Sequence, residues 1–578
     1  MKINIKLLIL SVCSATLLFF QNCSPGFKTN VSATGESSLS SSQNAFKCVA
    51  NSQPSPASAK RLSKLELQRT YALHLAGYSA SEQAAIKTAI APFMQSIPDD
   101  NGEKFDTDDV ALAQDHVAAY FSAAKAFATE VTKTLARTKT FMGACATTTP
   151  LTDPCLDSFL SAQATKILRR PLTAPEVTAI KAEYAGYSEK NNQWLLTRLY
   201  MSPSFIFHLE LDGQNESPTL LKISPYELAS RISFYLLKMA PDDALLAAAA
   251  GGTLVEKDKI TSEIARLAAQ YPTYYKATVD EFFAGWLAYK NIAYPLTPVE
   301  LSEVAFAAGR KLSRQSLINE MQGMVRHYTN DAQGSFDDLF LTTKSFAVDD
   351  DLAAIYGVSK WTGSKNALVD LPANERTGLL SRAAFMVSGD ANTSPIIRGL
   401  MLRRQFLCDE IPQPPDDIAN MVRDPLPDPN ASTRKRFEDK TSSAACTGCH
   451  ALINPLGFAM ENFDAFGRYR TSEKLFDDAG NMVNQIKIDP VVKPYLSFND
   501  GRTIASAAEF SQAMAETGRA RNCMARSFFK FAYRESPDPI NDGCALVQID
   551  QQVQGVGGLN NMFLNAPLAE AFQKRKLD

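Results

Sequence analysis

The chain has 578 residues, more than one hydrophobic core can serve, and its 45% apolar and 21% charged content is that of a globular protein. A net charge of −3, with Lys and Arg spread along the chain, argues against nucleic acid or anionic lipid as the main partner. No internal apolar run approaches the ~20 residues that a membrane span requires.

Lys2 and Lys6 precede an apolar stretch from Leu7 to Phe20, the charged and apolar regions of a secretory signal over residues 1–22. Cys23 and Ser24 follow, and the arrangement resembles a bacterial lipoprotein signal in which Cys23 becomes a lipidated N-terminus. Gln21 and Asn22 stand where that signal prefers small residues, so ordinary secretion with a nearby cut is the alternative reading. Ser24, in place of an aspartate, resembles the outer-membrane sorting pattern. The expectation is an exported outer-membrane lipoprotein facing the periplasm or the surface, anchored by its lipid while the body stays clear of the bilayer. Residues 23–58, rich in Ser, Asn, Ala and Pro, read as a tether.

From residue 59 onward, helix-start signals recur. Ser63…Glu66, Thr173…Glu176, Ser224…Glu227 and Thr297…Glu300 are capping boxes, three of them with proline in the first turn. Apolar residues follow at three- and four-residue spacing, as in YELASRISFYLL (226–237), and alternating strand patterns are scarce. The fold class expected is mainly α, several helical units followed by a C-terminal c-type haem unit. The units are 59–150, 151–215, 218–345, 346–435 with the proline-rich strip LCDEIPQPPDD, and 436–578. No nucleotide-binding, serine-hydrolase or metalloprotease motif appears.

Ten cysteines are present, and export permits disulfides. Cys13 leaves with the signal. Cys145 and Cys155 flank a short loop, and Cys523 and Cys544 flank a turn-rich stretch, so each is expected to pair locally. Cys48 and Cys408 pair by elimination. Cys446 and Cys449 remain, in CTGCH (446–450). C-x-x-C-H is the attachment pattern for c-type haem: each thiol forms a thioether to a vinyl group, and His450 falls where its imidazole ligates iron. A zinc site would need two further ligands, and a dithiol redox site would not need His450. One motif implies one covalently attached haem c.

The second axial ligand is open. Met460 lies ten residues beyond His450, past an expected Asn454-Pro455-Leu456-Gly457 turn; Met482, Met514, Met524, His74, His116, His208 and His327 compete, as does an open iron. Phe458, Phe463 and Phe466 are expected to wall the haem, and Arg398 and Arg468 to meet its propionates, with Asp464 orienting one of them.

Seven strings in this order, including RLSKLELQRTYALHLAG (61–77), SPYELASRISFYLLKMAPDDALLAAAAGGTL (224–254), GLLSRAAFMVSGDANTSPIIRG (378–399) and CTGCHALINPLGFAMENFDAFGRYR (446–470), resemble the exported cytochrome-like proteins of planctomycetes, myxobacteria and predatory bacteria. Those are built from domains of unknown function 1587, 1595, 1592, 1588 and 1585. The resemblance implies an exported c-type cytochrome with Cys446, Cys449 and His450 as its haem residues. Relatives usually have Leu at the position of Met460, and the family supplies no substrate.

Three functions compete. The first is electron transfer to a redox partner protein in the cell envelope. The second is a haem-dependent oxidoreductase acting on peroxide, oxygen or an organic substrate. The third is a non-redox scaffold or binding protein. No nucleic-acid partner is expected.

Overall fold

Ser63, Thr173 and Ser224 each accept a hydrogen bond from the backbone amide three residues on, and Glu66, Glu176 and Glu227 reach back to the cap amide. Helices begin at these points because the side chains satisfy amides that the first turn leaves unpaired. The fourth box, Thr297…Glu300, lies outside the described residues. The computed structural model describes residues 46–49, 60–99, 105, 112–186, 191–291, 312–388, 393–412, 428, 430–476, 482–497 and 499–576. Cys23 lies outside them.

The described chain is mainly helical. Helices α1 (Lys64–His74), α2 (Ala80–Ser96), α3 (Gln114–Val131), α4 (Leu135–Met142), α5 (Asp153–Leu168), α6 (Ala174–Ala185) and α7 (Asn191–Tyr200) close on one apolar core around Phe127, Tyr200 and Phe205. A second, larger core runs from Ile223 to Phe572. It is built by α8 (Pro225–Leu237), α9 (Asp243–Ala250), α10 (Lys257–Gln270), α11 (Pro272–Leu287), α12 (Arg314–Arg326), α13 (Phe336–Leu341) and α14 (Asp350–Tyr356). Then come α15 (Pro395–Phe406), α16 (Thr433–Lys440), α17 (Ala444–Phe458), α18 (Ala507–Glu516), α19 (Arg519–Tyr533), α20 (Gly543–Gln552) and α21 (Gly558–Asn565). The boundaries expected near residues 345 and 435 fall inside this second core.

Strands are short and antiparallel: β1 (Lys60–Arg61) with β2 (Phe207–His208), β4 (Leu220–Ile223) between β3 (Gly213–Ser217) and β9 (Lys574–Lys576), β5 (Lys344–Ser345) with β6 (Val369–Asp370), and β7 (Ser472–Phe476) with β8 (Met482–Lys487). No described helix is long and apolar enough to cross a membrane.

Three disulfides staple the chain: Cys145–Cys155, Cys48–Cys544 and Cys408–Cys523. The expected pairs Cys523–Cys544 and Cys48–Cys408 are therefore corrected. Cys523 lies on the buried side of α19 beside the carbonyl of Gln405, which places it against the end of α15, where Cys408 sits. Cys544 opens α20 near the surface and faces the segment carrying Lys47 and Val49. Nearness in sequence misleads because α19 carries the chain away from Cys523 before α20 begins.

The two cores are joined where the cap of α1 meets the end of α19. Arg534 donates from Nη1 to Glu66 Oε1 (3.2 Å), and His208 Nε2 lies 3.3 Å from Glu66 Oε2. Burial alone would raise the Glu66 carboxyl, but Arg534 and His208 hold it well below the usual carboxylate range. Burial pushes His208, packed edge-on to Phe234, down to about 4, against the pull of Glu66. A histidine whose folded pKa lies below its unfolded value of about 6.5 contributes fully above pH 6.5 and loses that contribution as pH falls toward 4. Unfolding free energy is expected to drop by about 3 kcal/mol through this joint across that window. Denaturant titrations at stepped pH should show a shallower slope in His208→Gln, and an equal slope would contradict this account.

Candidate functional site

Ser443 precedes α17, and on this helix Cys446, His450, Asn454 and Phe458 recur every four residues, with Cys449 beside them. That spacing puts Cys446, His450 and Asn454 along one side of the helix, with Cys449 and Phe458 toward its two opposite flanks. The segment Asn454-Pro455-Leu456-Gly457, expected as a turn, continues the helix instead. Proline in a helix forfeits one backbone hydrogen bond. Packing against α15 offsets the loss, because the two helices cross at glycines. A Cβ on Gly457 would overlap the Pro395 carbonyl oxygen, and one on Gly399 would overlap that of Ile453. The backbones touch directly, so α15 fixes both the position and the rotation of α17.

His450 is held by a chain of hydrogen bonds that also sets its tautomer. Thr441 Oγ1 donates to the Phe437 carbonyl (2.7 Å), so its oxygen is left to accept from Asn454 Nδ2 (2.8 Å). Asn454 must then present Oδ1 to His450 Nδ1, 3.0 Å away. An oxygen acceptor there means Nδ1 carries the proton and Nε2 keeps its lone pair. A carbonyl at the end of α16 thus decides, through two side chains, which imidazole nitrogen is free to bind a metal.

His450 lines a cleft of about 320 Å³. Its neighbours Asn454 and Phe458 continue the α17 wall, Arg434 and Thr441 come from α16 and its end, and Val492, Lys493 and Tyr495 form a third side. Cys446 and Cys449 are free thiols; Cys446 is half-buried and Cys449 exposed. Although the residue is exposed as a whole, partial enclosure of its thiol, and then the neighbouring Cys446, push that thiol up, the opposite of what an activated redox thiolate needs. Among the described residues no group of three or more His, Cys, Asp or Glu side chains is placed to hold a metal ion, which leaves the pair short of a zinc ligand set. Neither cysteine lines the cleft, but two free thiols one turn apart, on the same helix as an imidazole with Nε2 open, are the donor set that covalent haem attachment uses.

Several expected contacts fall elsewhere. Met460 sits just past the end of α17, fully buried. It packs in the apolar core and is not among the residues that line the cleft. Met482, Met514, Met524, His74, His116, His208 and His327 do not line the cleft either. Arg398 is buried in an ion pair with Glu461 (3.3 Å) and donates to the carbonyls of Met460 and Met386. Arg468 closes a tight turn on Asp464, with Nε 2.7 Å from Oδ2. Neither reaches the cleft; the positive charge at its rim is that of Arg434 and Lys493. Arg434 also lies over the Phe458 ring, 5.3 Å from its centroid. Of the three phenylalanines, only Phe458 is a wall residue; Phe463 packs on Tyr469 and Arg376. Asn454 was visible in the sequence as the residue one turn after His450. Arg434 and Tyr495 carried no sequence signal, since loops of unrelated spacing bring them in.

Residues 376–473 match the family model PSCyt3, a protein of unknown function (DUF1588), and residues 223–358 match PSD4, a protein of unknown function (DUF1592). Both belong to the cytochrome-c-like multidomain family that the sequence resembles, so the chain is a mainly helical protein carrying two of that family's domain types. The match over 376–473 contains α15, α16 and α17, and α16 and α17 with the two residues between them supply most of the cleft's lining. No curated protein and no solved structure matches the chain.

Gly457→Ala is expected to destabilise the fold by about 1–3 kcal/mol, because a methyl group meets backbone that cannot step aside. Denaturant unfolding measures it, and an unchanged midpoint would show that the crossing is looser than described.

Proposed function

We propose that this chain is an exported c-type monohaem protein that transfers electrons in the cell envelope. The observation that carries the reading is the relay from Phe437 through Thr441 and Asn454, which leaves His450 Nε2 unprotonated beside two free thiols. When bound, a haem supplies a one-electron iron couple. The chain supplies the rest. Cys446 and Cys449 fix the group covalently, and His450 ligates from one side. Asn454 holds the imidazole in orientation by accepting from its Nδ1. Phe458 forms one wall and Lys493 favours a carboxylate group at the rim, where Arg434 is already paired with Glu438 and Asp489.

Exposure favours electron transfer over chemistry within an enclosed pocket. Cys449, Lys493 and Tyr495 are open to solvent, so a bound porphyrin would present an edge to a partner protein. Lipidation at Cys23 and placement at the outer membrane belong to the same reading and rest on the N-terminal sequence.

The test is the mass of the tryptic peptide containing residues 446–450, from protein exported in a cell that matures c-type cytochromes. One added haem is expected in the wild type and none in the Cys446→Ala/Cys449→Ala double variant; free thiols in the exported wild type would overturn the reading. Asn454→Leu should keep the attachment yet raise the midpoint potential, since the imidazole loses its acceptor and becomes the weaker donor. A potential identical to wild type would remove the relay from the argument.

A further inference from the structure

The third wall of the cleft contains a conformational outlier. Tyr495 has φ +48°, the left-handed region that bulky side chains avoid. Its ring is 41% exposed and lines the same cleft as His450. An exposed aromatic ring gains little from burial, so nothing at the ring explains the strained backbone.

The cause lies behind it, in two buried arginines. Arg403 Nη2 donates to the Pro494 carbonyl (2.6 Å) and Nη1 to that of Tyr495 (2.9 Å). Arg519 donates to the next carbonyl, Leu496, whose side chain is buried. Three consecutive carbonyls are thus pinned inward. The same Arg403 guanidinium donates from Nε to the Leu452 carbonyl (2.9 Å), two residues past His450 on α17. One rigid planar group therefore sets the distance between the Tyr495 backbone and the helix that bears His450. Strain of this kind persists only where surrounding structure over-determines it, and it collects at functional sites.

We propose that Tyr495 covers the cleft from its third side, its backbone held there by Arg403, and limits the entry of small exogenous ligands to a group bound at His450. Arg403 is the positioning residue. The inference rests on the haem reading above and adds to it a named residue that controls access to the cleft.

The test uses exported holoprotein, first checked by mass for covalent haem. Imidazole is then titrated against the wild type, Tyr495→Phe and Tyr495→Gly, with the absorption spectrum as readout and thermal melting in parallel. Tyr495→Gly should bind imidazole about tenfold more tightly. It should also melt no lower than wild type, because glycine accepts the left-handed conformation freely. Tyr495→Phe keeps the ring and should keep the wild-type affinity. Protein without covalent haem would overturn both readings. Haem-loaded Tyr495→Gly with wild-type imidazole affinity would overturn this one alone, and so would Tyr495→Phe behaving like Tyr495→Gly.

Discussion

The guanidinium of Arg403 has no access to solvent, and it is tied to four partners on three separate parts of the chain: the Leu452 carbonyl on α17, the carbonyls of Pro494 and Tyr495, and the carboxylate of Asp409 at 3.3 Å. Asp409 also pairs with Arg519. Burying two cations with one anion is unfavourable in itself, and burial holds Arg403 down to about 10 despite Asp409. What the arrangement provides is uniqueness. A buried guanidinium left short of a partner costs far more than a mispacked methyl group, so the chain has one acceptable way to bring these strands of backbone together. The Cys408–Cys523 disulfide stands at the same place, one residue before Asp409 and one turn beyond Arg519, and it keeps the cluster's two halves from parting.

A second buried cluster does the same for the two matched segments. Glu320, on α12 in the first segment, accepts from Arg382 in the second at 3.1 Å and from Tyr356. Burial raises the Glu320 carboxyl and Arg382 opposes it. Arg376 lies over both Tyr356 and Phe463 and donates to the carbonyls of Ser381 and Gly467. Domain types that are separate as family models are thus one packed body in this chain, and the α15–α17 crossing is set on that base.

What was legible in the sequence was local. Capping boxes work over three residues, so Ser63, Thr173 and Ser224 marked helix starts correctly. Cys145 and Cys155 are ten residues apart and are joined. What was not legible depends on distant chain. The Asn454–Gly457 segment has the residues of a turn, and only α15, meeting it through Gly399 and Gly457, makes it helix. Arg398 looked available because nothing local shows Glu461 claiming it. Tyr495 sits in VVKPYLS, which carries no mark of the two arginines, 92 residues before it in one case and 23 to 24 after it in the other, that bend it into place.

The Cys48–Cys544 bond ties the start of the described chain to α20 rather than to the helices that follow it in sequence. Two routes therefore link residue 48 to the body: the peptide chain through residues 50–59 and the sulfur bridge. A nick in that stretch would leave everything upstream still attached. Should Cys23 be moored in a bilayer, the 25 residues from it to Cys48 span at most about 90 Å. That leash length is measured from α20, so it is the face of the body around α20 whose distance from the bilayer surface is bounded.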